Sequence, residues 1–175
     1  MKTALLLIDL QEEYFPGGRY PLWNIANTLA AAEAAIARAR REGIAIVHVQ
    51  HVAPSADSPL FAPGSDGVRI HPDILAAAPD APVVVKQHAD AFHETNLAAV
   101  LEGLGVQRLL VAGAMTQNCV THTALSKAAE RFDVAVLADA TTTVDPMIHG
   151  FALSALQTRV AVLEGWAKAD VAEYA

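Results

Sequence analysis

Residues 4–8 form an unbroken apolar run, Ala-Leu-Leu-Leu-Ile, that stops at Asp9. A run of this kind, without polar alternation, predicts a strand covered on both faces in a parallel sheet. Comparable runs recur at residues 44–49, 83–85, 106–112, 134–138 and 160–163. Helical spacing fills the intervals. Ile25, Leu29, Ala32 and Ile36 share a face of a helix that Asn24 or Asn27 can cap and Gly43 stops. Leu97, Val100, Leu101 and Leu104 share another, with Thr95 as its cap. Residues 121–131, 146–158 and 166–174 also read as helices, and 73–78 as one or two helical turns. Strand and helix alternate throughout. That predicts a doubly wound three-layer α/β/α sandwich around a six-stranded, mostly parallel sheet.

Two loops interrupt this regularity. Residues 11–23 are punctuated by Pro16, Gly17, Gly18 and Pro21, and residues 53–72 carry Pro54, Pro59 and Pro63. A loop as long as the second reads as a lid, a pocket wall or an oligomer contact. With no linker or repeat, residues 1–175 are expected to form one domain. A net charge of −7 without a basic stripe argues against a nucleic-acid partner. The single cysteine excludes an internal disulfide, and there is no metal-binding cysteine cluster. No apolar run approaches the ~18 residues of a membrane span. The N-terminal run is short, broken by Asp9 and followed by no cleavage-site pattern, so a soluble cytoplasmic protein is the expectation.

In sheets of this class, ligands bind beyond the carboxyl ends of the strands. Those ends carry Asp9, the segment from His48 to His51, Lys86, the segment from Gly113 to Cys119, Asp139 and Glu164. An acid, a lysine and a thiol thus converge on one rim. Cys119 is expected in the first turn of a helix, where N–H groups, the helix dipole and Lys86 would lower the thiol pKa from ~8.5. Asp9 can take the thiol proton and later deliver it to a leaving amine. N–H groups between Met115 and Cys119 are candidate donors to an oxyanion. The chemistry suggested is acyl transfer through a thioester, ending in hydrolysis. The bland alternatives are a packing cysteine, a turn-capping Asp9 and a solvated Lys86.

Gln11, Phe15, Trp23, His51 and Phe92 are candidate substrate-binding residues on the loops and strand ends of the same rim. His48 faces the opposite side of its strand from His51 and reads as satisfied within the fold. His71, His88, His93, His122 and His149 share no spacing that suggests a ligand set. Asp139 and residues 141–143 read as a cap for the following helix or a buttress for the cysteine loop.

Asp9-x-Gln11, Lys86 and Gly113-x-x-Thr116-x-x-Cys119-Val120, in this order, resemble the isochorismatase-like cysteine hydrolases. That family includes nicotinamidases, streptothricin hydrolases, and N-carbamoylsarcosine and ureidoacrylate amidohydrolases. The Pro-Gly pair after Phe15, Phe92 after the lysine and Asp139-Ala140 extend the likeness over nearly the whole chain. The resemblance implies a strand order of 3-2-1-4-5-6 and a triad of Asp9, Lys86 and Cys119. It implies a non-proline cis peptide at Ala114-Met115, an oxyanion hole of the Met115 and Cys119 N–H groups, and Thr116 as helix cap. It also implies a homo-oligomer, dimer or tetramer. In that order Lys86 lies two strands from Asp9, roughly 10 Å at ~4.8 Å per strand, and has to reach across.

Metal-containing nicotinamidases carry an Asp-x-His pair after the second strand, where this chain reads His48-Val49-Gln50-His51-Val52. No metal or other cofactor is therefore expected, and nicotinamide is disfavoured. Isochorismatases proper cleave a vinyl ether without a thiol, so Cys119 points to a small-molecule amide or ureido C–N bond. The alternatives are vinyl-ether hydrolysis with Asp9 as general acid, and a non-catalytic binding or scaffold protein that keeps the fold.

Overall fold

The computed structural model describes residues 1–166, so the helix expected over 166–174 lies, Trp166 apart, outside the described residues. Six strands, β1 (Thr3–Ile8), β2 (Ala45–His51), β3 (Val83–Lys86), β4 (Arg108–Ala114), β5 (Asp133–Thr142) and β6 (Ala161–Leu163), form one sheet in the order β3-β2-β1-β4-β5-β6. Every neighbouring pair is parallel. The helices are α1 (Ile25–Glu42), α2 (Pro72–Ala77), α3 (Leu97–Gly103), α4 (Thr121–Ala124) and α5 (Pro146–Leu156).

The apolar runs have two-sided burial as their cause. On β1, Leu6 and Ile8 join Val47, Val49, Leu109 and Val111 beneath Leu97 and Leu101 of α3 and Leu156 of α5. Leu5 and Leu7 point the other way, onto Ala32, Ile36 and Ala39 of α1 and Ile74 of α2. The edge strand β3 is different. Val83 and Val85 are exposed, whereas Val84 and Lys86 are buried, so alternation carries the lysine to the face that holds Cys119.

Local chemistry explains where elements start and stop. Gly43 adopts φ +66° and donates its N–H to the carbonyls of Ala39 and Arg40, ending α1 as expected. Asn24 is not a side-chain cap: its Oδ1 accepts from Asn27 instead. The N-cap of α3 is Asn96 rather than Thr95, which lies one residue earlier and whose Oγ1 accepts the Leu97 N–H at 3.2 Å. The single helix expected over 121–131 is broken. α4 stops at Ala124, and Ser126 caps a separate 3₁₀ turn, Lys127–Arg131. The cause is the Ser126 hydroxyl, which donates to Asp90 Oδ2 at 2.7 Å and accepts from Ala128 N–H, competing with helix continuation. Asp145, not Asp139, caps α5, through the Met147 and Ile148 N–H groups.

Gly113 is required by geometry. Its φ is +118°, and a Cβ there would lie 1.9 Å from the Ile8 carbonyl oxygen. β1 and β4 therefore approach closely just where both strands deliver site residues. Among the described residues, no helix is long and apolar enough to cross a membrane.

His48 is satisfied within the fold on one side only. Its Nε2 pairs with the Ala78 carbonyl at 3.0 Å, while Nδ1 is buried without a hydrogen-bond partner among the described residues. Burial holds its pKa below the ordinary value, the Ala78 contact acting weakly the other way. Between the lowered folded value and 6.5, the unfolded state binds more protons, so stability falls as pH drops below 6.5. The expected slope from this residue reaches about 1.4 kcal/mol per pH unit. Urea unfolding at several pH values checks this, and His48→Gln should flatten the slope.

Candidate active site

The left-handed turn at Asp9 (φ +51°) follows β1 immediately, with the Asp9 N–H bonded to the Val49 carbonyl. Its carboxylate is turned inward and fully buried. From β3, Lys86 stretches over the end of β2 and places Nζ 2.8 Å from Asp9 Oδ2 and 3.3 Å from Cys119 Sγ. The same ammonium lies 3.2 Å from His51 Nδ1 and 3.1 Å from the His88 carbonyl oxygen. The three N–H donors go to His51, the His88 carbonyl and Cys119, and Asp9 is held as an ion pair. The two-strand gap is crossed because β2 ends at this level, His51 being the register partner of Lys86.

Cys119 sits in a π turn, Thr116–Val120, between β4 and α4, rather than in the first turn of an α-helix. The Ala114–Met115 peptide bond preceding that turn is cis. The Met115 carbonyl accepts from the N–H groups of Asn118 and Val120, on either side of Cys119. Thr116 is not a cap, because its hydroxyl is fully buried against His149 Nδ1 at 2.9 Å. The turn is closed instead by Thr121 Oγ1, which donates to the Thr116 carbonyl at 2.6 Å.

The electrostatics reverse one expectation. The thiol is not lowered: burial first, and then the Asp9 charge, push Cys119 up to about 12 against the opposing pull of Lys86. Burial also works against the Lys86 ammonium, but Asp9 and Cys119 override it and hold the lysine above its ordinary value. The physical reason is pairing. Lys86 is neutralised by Asp9 at 2.8 Å, so little positive field remains for a thiolate, and water is excluded at 5% exposure of Cys119. The resting state is an ammonium–carboxylate pair beside a neutral thiol. Neither Asp9 carboxylate oxygen has a hydrogen-bond partner among the described residues; Oδ2 is held by the Lys86 charge, and the Asp9 charge favours the protonated thiol.

The candidate substrate-binding residues divide. His51 reaches the cluster, and burial followed by the Lys86 charge keeps its imidazole below the ordinary pKa, so that Nδ1 can accept from the ammonium. Gln11 is committed elsewhere. Its amide donates to the His51 and Val68 carbonyls at 2.8 and 2.7 Å, and its Oε1 accepts the His51 N–H at 2.7 Å. With its polar atoms engaged, Gln11 fastens the end of β2 to the 53–72 loop and has no free N–H for a substrate, which corrects its binding assignment. Phe15 is buried with its ring 4.2 Å from that of His71, and Phe92 packs in the core over Phe132. Trp23 is 38% exposed, its ring 5.7 Å from His149.

Two residues escaped the sequence reading. Tyr14 is held well above its ordinary pKa by burial, then by Asp9 and Cys119, which places its hydroxyl in their field. Glu13 is buried and accepts the Arg19 and Phe61 N–H groups at 3.0 and 2.8 Å, pinning one loop of the rim to the other. An acid and a tyrosine beside Phe15 gave a weak signal, hidden by the Pro-Gly punctuation. Elsewhere, His88 and His93, which spacing left unrelated, converge with Glu94 on the loop after β3. A cleft of about 870 Å³ opens at the opposite end of the sheet, beside Lys2, Ile44 and Pro82, and includes no member of the Cys119 cluster.

The isochorismatase domain model matches residues 3–168. The uncharacterized isochorismatase family protein YddQ of Bacillus subtilis is 33% identical over 149 residues, covering 85% of this chain and 82% of that protein. Maleamate amidohydrolase of Pseudomonas putida is 33% identical over 167 residues, covering 86% and 68%. The crystal structure of an isochorismatase family protein from Desulfovibrio vulgaris superposes with a TM-score of 0.85 at 27% identity, covering 93% of each chain.

Removing the ammonium leaves the Asp9 carboxylate buried without its counter-ion. Lys86→Met is expected to lower unfolding stability at pH 7 by about 3–5 kcal/mol, with Asp9→Asn/Lys86→Met recovering part of it. A loss no greater than the ~1 kcal/mol of an exposed pair in chemical denaturation would contradict the buried pairing.

Proposed function

The chain belongs to the isochorismatase family, and from that membership we propose that it hydrolyses a small-molecule amide or ureido C–N bond through a thioester on Cys119. The observation that carries this reading is Lys86 Nζ, held 2.8 Å from Asp9 and 3.3 Å from Cys119 Sγ. The maleamate amidohydrolase of Pseudomonas putida, a relative at 33% identity, supports the choice of bond.

The mechanism follows from a thiol that rests protonated. As Sγ attacks the carbonyl carbon, its proton passes to Asp9, so no free thiolate need accumulate. The C–O π electrons move onto oxygen, and the N–H groups of Met115 and Cys119 receive the oxyanion. Collapse breaks the C–N bond, and the leaving nitrogen takes the proton from Asp9. Water then enters, gives its proton to Asp9 and attacks the thioester. The acid departs, and the sulfur recovers its proton from Asp9. Lys86 remains an ammonium throughout, offsetting negative charge as it shifts between Asp9, sulfur and substrate. The buried position of Cys119 supports a small substrate. Assembly as a homo-oligomer is part of the proposal, supported by Met147 and Phe151, which expose 69% and 70% of their surface on α5.

Screening small amides and ureido compounds for ammonia release tests this reading. Cys119→Ala and Asp9→Asn should each cut kcat by about 10⁴-fold or more, as loss of a hydrolase nucleophile or base does. A Cys119→Ala protein that kept turnover would overturn the thioester route and move the chemistry to Asp9 alone, as in vinyl-ether hydrolysis.

A further inference from the structure

The loop between β3 and α3 carries a second group of chemically active side chains that the mechanism does not use. His88 Nε2 lies 3.2 Å from Glu94 Oε2, and His93 Nε2 lies 3.8 Å from Glu94 Oε1. The two imidazole rings meet edge to face at 4.4 Å between centroids. One donor atom from each of the three residues falls within 4.8 Å of the others. Glu94 reaches this position from a left-handed backbone, φ +54°, which turns its carboxylate back toward His88.

The platform beneath these side chains is anchored. Asp90 accepts the Phe92 N–H at 2.8 Å through Oδ1 and the Ser126 hydroxyl at 2.7 Å through Oδ2. The Asp90 carbonyl takes the His93 N–H, Ala91 N–H donates to Thr123 Oγ1, and Thr95 Oγ1 donates to the Ala91 carbonyl. The loop backbone between His88 and Glu94 is therefore tied to α4 and its flank, while the three side chains stay open to solvent. Their side-chain exposures of 46%, 55% and 73% leave room for an ion and its waters.

We propose that His88, His93 and Glu94 bind one borderline divalent transition-metal ion of the Zn²⁺ class, with a further position left to water. Two neutral imidazoles and a carboxylate suit Zn²⁺, Co²⁺, Ni²⁺ or Cu²⁺, whereas Mg²⁺ and Ca²⁺ require oxygen donors. Metal–ligand bonds of about 2.0–2.1 Å in a tetrahedron set donor spacings near ~3.4 Å, which rotations of exposed side chains provide. A surface ion pair uses the same groups only when an imidazole is protonated; the metal satisfies all three with both imidazoles neutral. The site also touches the catalytic cluster, because the His88 carbonyl accepts from Lys86 Nζ at 3.1 Å. An ion gripping the His88 ring holds the residue next but one to the lysine that pairs Asp9 and Cys119. This inference is independent of which bond the enzyme cleaves.

Titration of the purified protein with Co²⁺, followed by its visible d–d absorption, is the test, with competition by Zn²⁺ and Ca²⁺. The expected result is one saturating equivalent, displaced by Zn²⁺ and not by Ca²⁺, without a thiolate charge-transfer band. His93→Ala and Glu94→Gln should each weaken binding by more than the roughly tenfold that loss of an outer-shell partner costs. His71→Ala, which alters an imidazole outside the group, should leave it unchanged. His93 and Glu94 are exposed and His71 precedes α2 on a loop, and circular dichroism verifies that each variant is folded. No saturable binding, binding that survives His88→Ala/His93→Ala, or a thiolate band pointing to Cys119 would overturn the proposal.

Discussion

The constraint on which the rest of the molecule depends is a lysine ammonium with almost no access to water. Lys86 is 1% exposed, and an unpaired charge in that position would cost several kcal/mol. It is tolerable because Asp9, Cys119, His51 and the His88 carbonyl surround its nitrogen. Each of those partners comes from a different part of the chain. Three strand ends, the π turn and the loop after β3 have to meet within hydrogen-bond range, and the sheet order brings them there. Gly113, without a Cβ, lets β1 and β4 close up beside Ile8. Gln11 and Glu13 then fix the rim loops to each other and to β2.

The same pairing decides how the sulfur behaves. A lone lysine beside a thiol favours the thiolate, but a lysine already matched by a carboxylate does so weakly. Burial therefore prevails, and the thiol rests protonated. In the proposed thioester route Asp9 acquires a double part: it makes the ammonium tolerable in the interior, and it serves as the base that removes the thiol proton when sulfur attacks. A thiolate formed only in the act of attack is an economical arrangement for a small hydrolase, since a standing thiolate in such a site would attract oxidation and alkylation.

Much of this was legible in the sequence. Continuous apolar runs identified the strands because two-sided burial leaves no polar face, and the acid, lysine and thiol fell at strand ends where such sheets bind ligands. What escaped notice was set by tertiary contacts. The break after Ala124 depends on Ser126 meeting Asp90, a partner 36 residues away. Thr116 has the composition of a cap, yet His149 claims its hydroxyl. Gln11 looked free to bind a ligand until β2 and the 53–72 loop consumed its amide. The thiol shift was misjudged for a related reason: proximity to Lys86 was inferred correctly, but the screening of Lys86 by Asp9 is a matter of distances. His88, His93 and Glu94 have no shared spacing, and only the folded loop reveals their convergence.

The account is tested most directly by the rate of iodoacetamide alkylation of the single cysteine against pH, in the wild-type protein and in Asp9→Asn. The wild type should react slowly near neutrality, its rate still climbing well above the ~8.5 of a free thiol. Asp9→Asn should move the profile to lower pH, because the carboxylate that opposes the thiolate is gone while Lys86 remains. An inflection below the free-thiol value in the wild type, or a profile that Asp9→Asn leaves unmoved or raises, would contradict the protonated resting thiol and the part assigned to Asp9.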